Sequence, residues 1–128
     1  MLLFMESVEQ VKSWLDSARA ELQKGTEESL SEAESLGRNT LKAMFKLGEA
    51  IEKKDLARAY LVLGHILLVR GNRREALLLL EAAQENFVRF GERDTKLELQ
   101  QTRRLLLSCH CKPGDTAAQE EVPAVANI

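Results

Sequence analysis

The stretch ARAYLVLGHILLVRGNRREALLLLEAA, residues 57–83, determines how this chain is built. Ala57, Tyr60, Leu63, Gly64 and Leu67 recur at intervals of one, three and four residues, which places them on one stripe of a helix. Gly71 interrupts the pattern. Ala76, Leu80 and Ala83 then form a matching stripe on a second helix. Small residues at Gly64, Ala76 and Ala83 allow two antiparallel helices to approach closely, while Tyr60, Leu63, Leu67 and Leu80 fill the space around them.

The rest of the composition agrees with a helical chain. Its 128 residues suffice for one domain with one modest core. Leu and Ala outweigh Val, Ile and the aromatic residues, and both prolines, Pro113 and Pro123, lie beyond Lys112. Such a balance predicts an all-α fold of antiparallel helical hairpins. The formal charge of −2 gives no global field that would steer nucleic acid or an anionic membrane to the chain. Locally, residues 1–56 and those after Lys112 lean acidic, whereas 57–112 lean basic.

Outward from the hairpin, the pattern divides 1–112 into helical segments and leaves 113–128 as a disordered tail. The first helix falls within 1–24, where Phe4, Val8, Val11, Leu15, Ala18 and Leu22 make an apolar seam widened by Trp14. Gly25 and Thr26 are placed to end that helix and cap the next. The segment 27–54 reads in two ways: one long helix, or two helices broken at Gly37-Arg38-Asn39-Thr40. Ala43, Leu47 and Ala50 repeat the spacing of Ala76, Leu80 and Ala83 at an offset of 33 residues, which lends the break some support and leaves both readings open. Asp55 suits a cap for the helix that ends at Gly71. Asn72 and Glu75 resemble a capping box opening the next, which completes the unit 55–90. Leu77, Leu78, Leu79 and Leu80 make that helix apolar around most of its girth, so cover on more than one side is expected. A closing helix over 94–110 sets Leu97, Leu99, Leu105, Leu106 and Leu107 against Gln100, Gln101, Arg103 and Arg104.

Residues 57–83 resemble a tetratricopeptide repeat, a helix–turn–helix unit that stacks into solenoids and binds other proteins. The resemblance rests on Ala57, Tyr60, Leu63, Gly64, Leu67, Gly71, Ala76, Leu80 and Ala83. Continued through Phe87, Phe90 and Gly91 to Asp94, it is similar to the longer variety found in bacterial regulators and scaffold proteins. No proline follows the second helix, and 1–24 matches no repeat. The chain thus offers one good repeat, one poor one and a closing helix, where about three units are usual. The N-terminal helix or a second chain would supply the missing packing. The resemblance implies a short solenoid whose groove is lined by the first helix of each repeat, with Arg58, Leu61, His65, Leu68 and Val69 as contacts for a protein or peptide partner. The charged clamp of chaperone-binding members is absent, because Leu61 and His65 stand at its first-repeat positions.

Other constellations are weaker. Cys109-His110-Cys111 has metal-ligand chemistry, but a zinc site takes four ligands and His65 is the only other histidine. No metal, cofactor or catalytic group is assigned, since no nucleophile–base pair, phosphate loop or carboxylate dyad stands out. Glu27, Glu28, Glu32 and Glu34 read as a solvated helical face. Arginines at 70–74, 89–93 and 103–104 could face nucleic acid, yet stacking aromatics are sparse among them. The seam of the first helix could support self-association as a coiled coil. Met1 to Met5 is too short for a signal-peptide core, and no stretch reaches the roughly 18 apolar residues of a membrane span. The two closely spaced cysteines suit a reducing, cytoplasmic setting. The expectation is a non-enzymatic adaptor or scaffold. The alternatives are a homodimerising helical subunit and a small regulator touching nucleic acid through arginines.

Overall fold

In a computed structural model that describes residues 7–109, five α-helices and two short 3-10 turns follow one another. These are α1 (Val8–Lys24), α2 (Glu27–Leu47), α3 (Lys53–Val69), α4 (Arg73–Phe90) and α5 (Lys96–Cys109). Every regular element among the described residues is helical, and no helix among them is long and apolar enough to cross a membrane. The expectations for the segment 1–6 and for the tail 113–128 fall outside the described residues.

The helices pair in sequence. α1 packs against α2, and α3 against α4, as two antiparallel hairpins; α2 also touches α3, and α4 touches α5. α3 meets both α1 and α5, so α1, α3 and α5 line one side of the molecule and α2 and α4 the other. The core runs through both layers, from Val11, Leu15 and Ala18 through Met44, Leu63, Ile66 and Leu67 to Leu80, Phe87 and Leu105. Among the described residues of the α1 seam, Val11, Leu15 and Ala18 are buried within the chain, Val8 and Leu22 are half-buried, and Phe4 lies outside the described residues.

Local chemistry explains where the helices start and stop. Ser7 and Thr26 accept hydrogen bonds from the backbone N–H groups of Gln10 and Ser29, capping α1 and α2. The α3 terminus is a Schellman motif: Asn72 N–H donates to Leu67 O at 2.8 Å and Gly71 N–H to Leu68 O at 3.1 Å. That geometry puts Gly71 at φ 93°, a region other residues rarely adopt, and reverses the chain into α4. Asn72 then caps α4, accepting from Glu75 N–H at 3.4 Å.

Three sequence expectations change. The break at Gly37-Arg38-Asn39-Thr40 does not form, and α2 runs unbroken through it as the long-helix alternative requires. Gly37 lies against α3, where an added Cβ would sit 3.1 Å from Leu63 Cδ1, so its smallness serves packing. Arg38 bonds Glu34 and Glu75, while Thr40 Oγ1 donates to Leu36 O; each keeps its helical place. The partner of α2 in the first hairpin is accordingly α1, not a piece of 27–54. Second, Glu52 occupies the N-cap position of α3, and Asp55 lies buried in the first turn, paired with Lys12 at 3.3 Å and Arg58 at 2.8 Å. Third, α4 is covered less fully than its leucine run implies, since Leu78 remains 64% exposed.

The hairpin of residues 57–83 packs as its spacing predicts. A Cβ at Gly64 would lie 2.8 Å from Leu80 Cγ, inside contact distance, and Leu80, Ala76 and Ala83 are fully buried opposite. Ion pairs then tie neighbouring hairpins together. Arg38 of α2 reaches Glu75 of α4 at 2.9 Å, and Arg70 at the end of α3 reaches Glu34 and Glu27 of α2 at 2.9 and 3.0 Å. Glu34 is thus shared by two guanidinium groups and does not belong to a purely solvated face.

Gly64→Leu is expected to lower stability by about 2 kcal/mol or more through overpacking, read as a fall in the chemical-denaturation midpoint; an unchanged midpoint would contradict the register of α3 on α4. The hydrogen bond from Arg38 holds the Glu75 carboxyl below the usual carboxylate range. Its contribution is therefore present at neutral pH and is lost on the acid side, as pH falls through the depressed value. Arg38→Gln should flatten that acid-side loss, measured as denaturation midpoints against pH, and an identical slope would show that the pair does not matter for stability.

Candidate interaction cleft

α1 and α5 both lie against α3, but toward the α1 C-terminus they leave a cleft of about 350 Å³ between them. Its apolar lining is Leu22 from α1 with Leu61, Val62 and Val69 from α3. Its polar lining is Arg19 and Gln23 from α1, His65 from α3, and Glu98 and Gln101 from α5. The helical period sets the α3 contribution, because residues 61, 62, 65 and 69 follow one another at spacings of one, three and four.

The sequence-predicted contacts divide here. Leu61, His65 and Val69 lie together along the cleft, but of the three apolar residues expected to stay uncovered, Leu61, Leu68 and Val69, only Val69 does. Leu61 is only 3% exposed, so it forms the floor and offers no protruding handle. Leu68 departs from the expectation: it is buried in the core and does not line the cleft, because it turns one residue too far toward the hairpin interior. Val69, at 52% exposure, is the accessible apolar residue of this face. Arg58 is already engaged within the chain. Its Nε donates to Glu98 at 3.0 Å, its Nη1 to Asp55 at 2.8 Å, and its Nη2 lies 3.5 Å from Asp94. Arg58 thus acts as a brace rather than a free contact.

That brace belongs to a network at the base of the cleft. Glu98 accepts from Arg58 and sits 3.5 Å from Arg19, which also pairs with Asp16 at 3.3 Å. Asp55 receives both Lys12 and Arg58, and Lys54 bonds Glu92 and Asp94. Burial works against the charged form of Arg58, yet its hydrogen bonds to Glu98 and Asp55, with the charges of those carboxylates, prevail and hold its pKa above the ordinary value. The partly exposed pairs contribute only about 0–1 kcal/mol each, whereas those of Asp55 keep a buried carboxylate matched. Together they link α1 to α3 through Lys12–Asp55, α3 to α5 through Arg58–Glu98 and α1 to α5 through Arg19–Glu98.

His65 is half-buried, and burial lowers its pKa below the ordinary imidazole value, so the ring is neutral at pH 7. Neither His65 nor Gln23 nor Gln101 has a side-chain hydrogen bond or ion pair among the described residues. The cleft therefore combines an aliphatic floor, an internally balanced ion pair and three neutral groups able both to donate and to accept.

Elsewhere the chemistry is thinner. No group of three or more metal-ligating side chains occurs among the described residues. Cys109 is buried, and the other two members of the Cys-His-Cys run lie outside the described residues. The basic stretches are partly neutralised, Arg70 by Glu27 and Glu34 and Arg89 by Glu85. Sequence reasoning missed Arg19, Leu22, Gln23, Val62, Glu98 and Gln101. The α1 and α5 members were hidden because 1–24 matches no repeat. The usable signal was the parallel between Gly25-Thr26 and Gly71-Asn72, both of which end one helix and cap the next. Comparison with protein-family models, with curated proteins and with solved structures returns no match to this chain.

Proposed function

We propose that this chain is a non-enzymatic interaction module, an adaptor or scaffold, that captures a peptide or helix of a protein partner in the cleft between α1, α3 and α5. The reading rests above all on one observation: a cleft between α1, α3 and α5 sets exposed Val69 and half-buried Leu22 beside a buried floor of Leu61 and Val62, and Gln23, His65 and Gln101 on its lining have no side-chain partner among the described residues. Covering Val69 and Leu22 would gain about 25 cal/mol for each Å² of apolar area removed from water. The tetratricopeptide-like reading of the fold belongs to the same proposal. It is supported by hairpins α1–α2 and α3–α4 with α5 following, and by the close approach of Gly64 to Leu80. A cytoplasmic setting is part of the proposal as well, and rests on the reduced state suggested by the cysteine spacing.

A second reading, a homodimerising helical subunit, is favoured by α5, where Leu97 and Leu107 are 77% and 61% exposed. Sedimentation separates the two: a monomer at micromolar concentration favours the adaptor, and a dimer abolished by Leu97→Glu with Leu107→Glu favours the subunit. The nucleic-acid alternative is weakened by the carboxylate partners of Arg70 and Arg89.

Val69→Glu tests the adaptor reading, since this exposed position tolerates a charge without disturbing the core. Proteins captured from native extract by the wild-type chain should be lost, at least tenfold, on the Val69→Glu variant. They should be retained by Phe45→Glu, an equally exposed position on α2 outside the cleft. Equal capture by all three proteins would overturn the proposal.

A further inference from the structure

Resting on the cleft reading above, we infer that the occupant is an extended, uncharged aliphatic peptide segment of three or four residues, bound without any charged anchor. Charge complementarity carries the first half of this. Among the described residues, the ionic groups lining the cleft are Arg19 and Glu98, and they face each other, with Glu98 further held by Arg58 and Arg19 by Asp16. The described lining thus has no unspent charge. An acidic or basic side chain entering it would disrupt that balance or lose its own hydration without compensation.

Hydrogen-bonding capacity carries the second half. Gln23, His65 and Gln101 rise on three sides of the floor, neutral and without side-chain partners among the described residues. Each matches the neutral donor and acceptor pair of a peptide unit. A helix entering the cleft has its backbone groups already bonded internally and would leave these three side chains unsatisfied. An extended segment presents free N–H and C=O groups on both edges and can satisfy them. Length agrees. From Leu61 to Val69 the α3 wall rises about 12 Å at 1.5 Å per residue, which an extended chain crosses in three or four residues at about 3.3 Å each. Leu22, Leu61, Val62 and Val69 then meet the alternating side chains that point to the floor.

The test uses a random dodecapeptide library displayed on phage, selected on the full wild-type chain and counter-selected on Val69→Glu. Enriched sequences should share a core of three or four uncharged, largely β-branched residues. Placing Glu or Lys in that core should weaken binding at least tenfold. A Gln23→Ala, Gln101→Ala double variant should bind the same peptides at least fivefold more weakly while its melting temperature stays that of wild type. A charged residue at the centre of the enriched core would overturn the inference, as would apolar anchors spaced three and four residues apart, and the cleft reading would stand in both cases. A library that shows no preference for wild type over Val69→Glu would overturn the inference and the cleft reading together.

Discussion

Gly64 meets Leu80 across the α3–α4 hairpin with no room even for a methyl group between them. That contact sets the distance between the two helices, and so the angle at which α3 is presented to everything else. Because α3 touches all four other helices, its position sets the depth of the inner cleft. A wider hairpin would push α3 toward α1 and α5 and close the space above Leu61. Packing at one buried point thus governs the shape of a surface on the opposite side of the same helix. The Schellman turn at Gly71 serves the same end, since it fixes where α3 stops and α4 begins.

Charge has a different part. The pairs joining Arg19, Glu98 and Arg58 are partly exposed and contribute little to stability, the Arg58–Asp55 pair is largely buried, and all of them are directional. They settle how α1 and α5 slide along α3, which apolar contacts alone leave loosely specified. On the outer layer, Arg38 and Arg70 do the same between α2, α3 and α4 through Glu27, Glu34 and Glu75. Of the arginines that give residues 57–112 their basic character, Arg58 and Arg70 are spent this way. A net local charge read from sequence overstated the charge available to a partner at those two positions.

Much of the fold was legible because helical periodicity and caps are local signals. Gly25, Thr26, Gly71 and Asn72 mark the ends of helices through backbone chemistry that needs no tertiary context. The α3–α4 hairpin followed from small residues facing large ones. Gly37 misled for a physical reason: a glycine that ends a helix and one that admits a neighbouring side chain look alike in sequence. Only the contact with Leu63 distinguishes them. Leu61 and Leu68 were placed on the correct helix, yet their burial depends on how the other helices pack around α3, which no local pattern of α3 encodes. For the same reason the cleft was half visible. Its α3 wall lay within the readable hairpin, whereas Gln23 and Gln101 come from helices that reach it only after folding.

Methyl NMR of the selectively labelled full chain tests the central claim most directly, because it locates contact without perturbing the molecule. On titration with a captured partner, the methyl resonances of Leu22, Val62 and Val69 should shift together while those of Leu78 and Val88, on the outer surface of α4, stay in place. Shifts confined to Leu78 and Val88, with the three inner residues unmoved, would contradict the account.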